Sequence, residues 1–160
     1  MGKYDIKIAD NSVRVDVLDS AELISSRVVN DLIPKLPKES PVVGLDLHSR
    51  KKGRGVRSAN SVLVLCIDAY CLVIQLKYVD KISENLKKFL DDKNTCSVSV
   101  GVHRKLSRGA PPPLNPLLCK TAVELSHLAW RIRQDSSYCN SDLKALATKD
   151  KVSYEPPVSK

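Results

Sequence analysis

Apolar and polar residues alternate at the start of the chain: Tyr4, Ile6 and Ile8, then Val13, Val15 and Val17. A period of two places alternate side chains on opposite faces of an extended strand. Asp10-Asn11 between the runs is a turn signal, so a β-hairpin is expected over 4–8 and 12–18. From Ser20 the period changes. Leu23, Ile24, Val28, Leu32 and Ile33 recur at helical spacing behind a serine suited to capping, and Pro34 and Pro37 end the segment. Three apolar runs follow at 41–48, 61–68 and 70–76, the last two joined tightly around Asp68-Ala69. Near-continuous runs of this kind imply a sheet covered on both faces.

Ile82, Leu86, Phe89 and Leu90 mark a helix from about 82 to 90, with the lysines outward. Cys96 to Val102 reads as a short strand. The proline-rich segment 109–116 cannot be helix or central strand and is expected to be a rigid connector. Residues 119–132 read as a helix in which Trp130 packs, and Asn140 or Ser141 is expected to cap a last helix through Ala147. The order of elements predicts an α/β fold, a mixed sheet flanked by helices. One domain is expected over 1–148, followed by a polar tail, 149–160, that does not pack.

Composition narrows the partners. The formal charge is +8 over 160 residues, which favours a polyanion. Only 4% of residues are aromatic, so base stacking cannot dominate and any contact with nucleic acid should be backbone-led. The five cysteines are an odd number without a CxxC pair. They predict neither a metal nor a disulfide framework, with Cys66 and Cys71 as small buried hydrophobes in a reducing compartment. No signal-peptide core and no membrane-length run is present, so a soluble, intracellular protein, nuclear or cytosolic, is expected.

The candidate chemistry collects at one strand end. In Pro41-Val42-Val43-Gly44-Leu45-Asp46-Leu47-His48, Asp46 and His48 share one face while Leu45 and Leu47 share the other. Directly beyond come Arg50, Lys51, Lys52, Arg54 and Arg57, five cations in eight positions with two glycines among them. A solvated loop tip is the bland reading of such a run. Its place beside Asp46 and His48 supports phosphate contact instead. His103 and Arg104 are read as a solvated strand end.

Val42-Val43-Gly44-Leu45-Asp46, then Asn60-Ser61-Val62-Leu63-Val64-Leu65-Cys66 and Cys71-Leu72-Val73-Ile74-Gln75-Leu76, resemble the plant Werner-syndrome-exonuclease-like 3′–5′ exonucleases. Leu90-Asp91-Asp92, Val98-Ser99-Val100-Gly101-Val102 and Asp142-Leu143-Lys144-Ala145-Leu146-Ala147 fall in that family's order, so the resemblance covers roughly 10–148. It implies a ribonuclease-H-like fold of the DEDD superfamily. It also implies two divalent cations, magnesium or manganese, held by four acidic side chains for hydrolysis of 3′-terminal phosphodiesters. In the family's first motif, Asp-x-Glu, Asp46 matches as metal ligand and His48 stands in the Glu position. Neutral imidazole is a poor magnesium ligand.

Lys105 falls where the second motif has its Asp, and a lysine repels a cation. The third motif, Tyr-xxx-Asp, belongs beyond Ala147 and is not found there, so a C-terminally truncated, degenerate site is expected. Tyr138 and Asp142 have that spacing, but Asp142 belongs to the preceding segment, and both are read as helix-capping residues. The resemblance implies DNA or RNA as partner, with weak or absent catalysis. The competing reading is a non-catalytic interaction or oligomerisation module, a homo-oligomer or a partner of an intact paralogue.

Overall fold

In the computed structural model, residues 2–8, 10–50, 60–101 and 122–151 are described. They form one sheet of seven strands in the order β1-β2-β5-β4-β3-β6-β7. The hairpin is β1 (Gly2–Ile8) and β2 (Asn11–Leu18), antiparallel with Ile8 opposite Asn11. The three apolar runs are β3 (Val42–Arg50), β4 (Asn60–Ile67) and β5 (Tyr70–Gln75), and β6 is Cys96–Ser99. β3–β4 and β4–β5 are antiparallel, whereas β2–β5 and β3–β6 are parallel. The sheet is therefore mixed, as the order of elements predicts.

Register decides which side chains share a face, because directly opposed residues point the same way. Leu18, Ile74, Leu63 and Leu47 form one row across β2, β5, β4 and β3, and Asp16, Leu72, Leu65 and Leu45 form the next. These leucines and Ile74 are buried in the core. Ile24 on α1 (Ala21–Arg27) covers them, together with Val28 and Leu32 on the wide π-type turn that continues it. Leu86, Phe89 and Leu90 of α2 (Glu84–Asp91) complete the layer. Ser20 accepts from the backbone N–H of Leu23 at 3.4 Å, and Ser83 from that of Leu86 at 3.3 Å. Each serine satisfies an N–H that the first helical turn leaves without a carbonyl.

The second face departs from expectation. Val15, Cys71, Cys66, Gly44, Val98 and Val123 form one row across it, and Val17, Val73, Val64 and Asp46 the next. Val62, Val64, Cys66, Cys71 and Val73 are only half-buried. Near-continuous apolar strands here reflect one fully packed face and one partly covered face.

Two expectations fail near the end of the chain. Ala122–Glu124, assigned to a helix by periodicity, is strand β7, parallel to β6 with Val98 opposite Val123. Helix α3 starts only at Leu125 and runs to Arg133. Three residues carry too little periodicity to resist a parallel partner strand. Trp130 on α3 is 42% exposed and meets the His127 ring edge-on, rather than entering the core. The last helix, α4 (Leu143–Lys149), is capped by Asp142, not by Asn140 or Ser141, and it reaches one residue into the expected tail. The connector 109–116 and the tail from 152 onward lie outside the described residues.

Cysteine use is also corrected. Cys66 and Cys71 are bonded as a disulfide, with Cα atoms 4.2 Å apart. They are equidistant from the Asp68-Ala69 turn, where Asp68 takes φ of 51°, so they oppose one another across the hairpin. A bond closing so short a loop is expected to contribute about 2 kcal/mol through the unfolded chain. Urea unfolding with and without a thiol reductant measures it. A shift of this size, absent in the Cys66→Ser/Cys71→Ser variant, is the expected result.

Candidate functional site

Asp46 and His48 occupy the half of β3 that projects beyond its parallel neighbour. β3 pairs with β6 only from Val42 to Gly44, whereas its pairing with β4 continues to Arg50. Past Gly44, therefore, β3 has a ladder on the β4 side alone among the described residues. Carboxyl ends of parallel strands are where α/β sheets hold ligands, because the backbone leaves the sheet there and frees a crevice. Asp46 and His48 are both exposed on the face that carries Val64 and Val62, and Leu45 and Leu47 are buried on the other. The strand is thus anchored by its leucines and presents its polar pair outward.

The fit to a two-cation centre is poor. Asp46 is the one carboxylate that β3 places on this face, and His48 supplies a nitrogen where an oxygen would be needed. Among the described residues, no group of three or more His, Cys, Asp or Glu side chains could hold a metal ion. Divalent hard cations require several oxygen donors in one shell. These residues do not build that shell, and no hydrolytic step is derived through it.

The remaining candidates have other roles or lie elsewhere. The backbone of Arg50 ends β3 opposite Asn60. Lys51, Lys52, Arg54 and Arg57 lie outside the described residues, as do Lys105, His103 and Arg104. Tyr138 is 8% exposed, donates its hydroxyl to Asp150 Oδ1 at 3.3 Å and lies under the Lys149 ammonium. Asp142 accepts from the Ala145 backbone N–H at 2.8 Å. Their Tyr-xxx-Asp spacing serves local architecture: a tyrosine packed on α4 and a carboxylate at its start.

Sequence reasoning missed two features of the sheet. Glu124 closes β7 and accepts the backbone N–H of Gly101 on both carboxylate oxygens, at 3.0 and 2.9 Å, with Ser126 Oγ at 3.4 Å. Gly101 has φ of 70°, a conformation that suits glycine, so Glu124 fixes the exit from β6. Glu124 is opposite Ser99, in the row of Leu45 rather than that of Asp46, and its role is to hold a turn. The second feature is the disulfide. Cys66 is opposite Gly44, one row from Asp46 on the same face. Its equal spacing about Asp68-Ala69 was the available signal. A cavity of about 440 Å³, lined by Asp5, Arg14, Lys35 and Tyr70 among others, lies at the Asp68 turn, the opposite end of the sheet from Asp46.

No family model matches the chain, and no curated protein matches it. Solved structures do. A crystal structure of the EXD2 exonuclease domain is 21% identical, covers 83% of this chain and 68% of its own, and superposes with a TM-score of 0.61. The same domain soaked in Mn gives 22% identity and 0.61, and soaked in Mn and GMP it gives 20% and 0.58. The chain spans about two thirds of the length of those domains. The architecture is a ribonuclease-H-like α/β fold, a mixed sheet flanked by helices.

Proposed function

We propose that this chain is a nucleic-acid-binding protein of the 3′–5′ exonuclease family, similar in its motifs to the plant Werner-syndrome-exonuclease-like group, with weak or absent cleavage of its own. One observation carries the reading. β3 projects past β6 with Asp46 and His48 exposed on one face, and the same strand leads directly into Arg50, Lys51, Lys52, Arg54 and Arg57. A run of cations following a strand in sequence suits the regular phosphates of a strand terminus, which cations recognise without reading sequence.

The EXD2 domains that share this fold were soaked with magnesium and manganese, and the sequence resemblance implies a reaction that takes divalent cations. Here Asp46 supports one ligand position at most, and the imidazole of His48 and the ammonium of Lys105 in carboxylate positions oppose a second cation. Binding therefore outlasts catalysis in this reading. Anisotropy of a fluorescent single-stranded oligonucleotide tests it. Saturable binding that persists in Asp46→Ala is expected, because the cations and not the carboxylate hold the phosphates. Failure to bind at low salt overturns the proposal.

A further inference from the structure

β1 is an outer strand of the sheet and pairs with β2 on one side only. The direction of its remaining backbone groups follows from one hydrogen bond. Arg14 donates its backbone N–H to the carbonyl of Ala69 at 2.8 Å, on the side toward β5. Arg14 is opposite Asp5, so at this pair the backbone groups of both residues face away from each other. By alternation, Lys3, Asp5 and Lys7 direct N–H and C=O groups to the free edge. Tyr4, Ile6 and Ile8 share one face and are 56%, 46% and 48% exposed. An edge whose outward backbone groups have no strand partner among the described residues, flanked by an apolar stripe, is a template for another strand.

Charge selects the occupant. In an antiparallel pairing of β1 with a second copy, a twofold axis at Asp5 sets Asp5 against itself and Lys3 against Lys7. An axis at Tyr4 also sets Asp5 against Lys3, but it sets Ile6 against Gly2, which offers it no apolar side chain. An axis between residues opposes an outward residue to an inward one and forms no ladder. With the axis at Ile6, Asp5 faces the partner's Lys7 and Lys7 faces the partner's Asp5. Ile6 then meets the partner's Ile6, and Tyr4 meets the partner's Ile8. Asp5 and Lys7 are then complementary on both sides of the axis, and Tyr4, Ile6 and Ile8 meet only one another. Asp5, already 3.7 Å from Arg14, gains a second cation on its other flank.

We propose that the chain forms a twofold homodimer by antiparallel addition of β1 to β1, with the axis at Ile6. Asp5 and Lys7 exchange backbone hydrogen bonds on both sides of the axis, and the two sheets become one. Opposed charged and apolar pairs then fix the register. This interface lies along the β1 edge, separated from β3 by β2, β5 and β4, so it stands apart from the proposed nucleic-acid function.

Size-exclusion chromatography with light scattering on the full chain tests it, with far-UV circular dichroism to confirm folding. The wild type is expected at twice the chain mass, and Asp5→Lys and Lys7→Asp each at the single-chain mass. An equimolar mixture of the two variants restores the doubled mass, because two aspartates of one chain then face two lysines of the other. A monomeric wild type overturns the proposal, as do variants that remain dimeric or a mixture that remains monomeric. Ile6→Cys provides a second arm that leaves the charges intact. It is expected to cross-link to itself in an oxidising thiol buffer, and Tyr4→Cys is not. Equal cross-linking of both, or of neither, contradicts the axis.

Discussion

Arg27→Met is expected to destabilise the fold by about 3–5 kcal/mol, the range for removing one partner of a buried ion pair. Asp16 is 3% exposed, in the row between β2 and β5 that the helices cover. Its Oδ2 has the Arg27 guanidinium at 3.3 Å and the Tyr70 hydroxyl at 3.1 Å, and its Oδ1 has no hydrogen-bond partner among the described residues. Arg27 also reaches Asp31 at 2.8 Å, one helical turn on. Methionine keeps the apolar stem but leaves a buried carboxylate held by Tyr70 alone. Urea unfolding checks the size of the loss, and Asp16→Asn added to Arg27→Met should restore part of it. A loss below about 1 kcal/mol would put this cluster in the class of surface ion pairs.

The same cluster sets an alkaline limit. Burial first, then the Asp16 carboxylate, pushes the Tyr70 phenol above its ordinary value of 10.0. A raised folded-state value favours the neutral phenol in the native protein. Its contribution is thus fully present below about pH 10 and is lost as the pH rises through the higher folded value. The urea midpoint should fall above pH 10 for this reason. In Tyr70→Phe the fall should be shallower.

The second large effect concerns binding. If Arg50, Lys51, Lys52, Arg54 and Arg57 each neutralise one phosphate of a single strand, the logarithm of the association constant should fall with log salt at a slope of about −3.5. Affinity then weakens roughly a hundred-fold between 50 and 200 mM salt. Replacing all five by glutamine is expected to remove most of that slope and to lower affinity at low salt by about two orders of magnitude. Anisotropy titrations across a salt series read both quantities. An unchanged slope would assign the phosphate contacts to other cations of this basic chain.

The strands were legible because each carries its own signal. Val13, Val15 and Val17 alternate, Asp68-Ala69 turns, and 61–67 and 70–75 are apolar enough to be strands under any arrangement. β7 was not legible. Ala122, Val123 and Glu124 become a strand only because β6 lies parallel to them, a relation across more than twenty residues that no local window contains. The half-covered second face was hidden for a similar reason. Val62, Val64 and Val73 are as apolar as the buried leucines between them, and composition alone cannot say which face the helices choose.

At the site, Asp46 and His48 share an exposed face, as alternation requires. Tyr138 and Asp142 show the limit of spacing as evidence. Their four-residue interval matches a catalytic motif, yet one hydroxyl serves Asp150 and one carboxylate starts α4. The disulfide was readable from the equal spacing of Cys66 and Cys71 about their turn, but an odd cysteine count argued against it.

The proposed function requires a sheet that holds nucleic acid without the carboxylates that cut. Incubation of the purified chain with a 5′-labelled single-stranded oligonucleotide in magnesium or manganese, read on a sequencing gel beside a native binding gel, addresses both halves together. A retarded complex whose oligonucleotide keeps its full length is the predicted result. Stepwise shortening from the 3′ end that disappears in Asp46→Ala would contradict the account, and so would the absence of any complex.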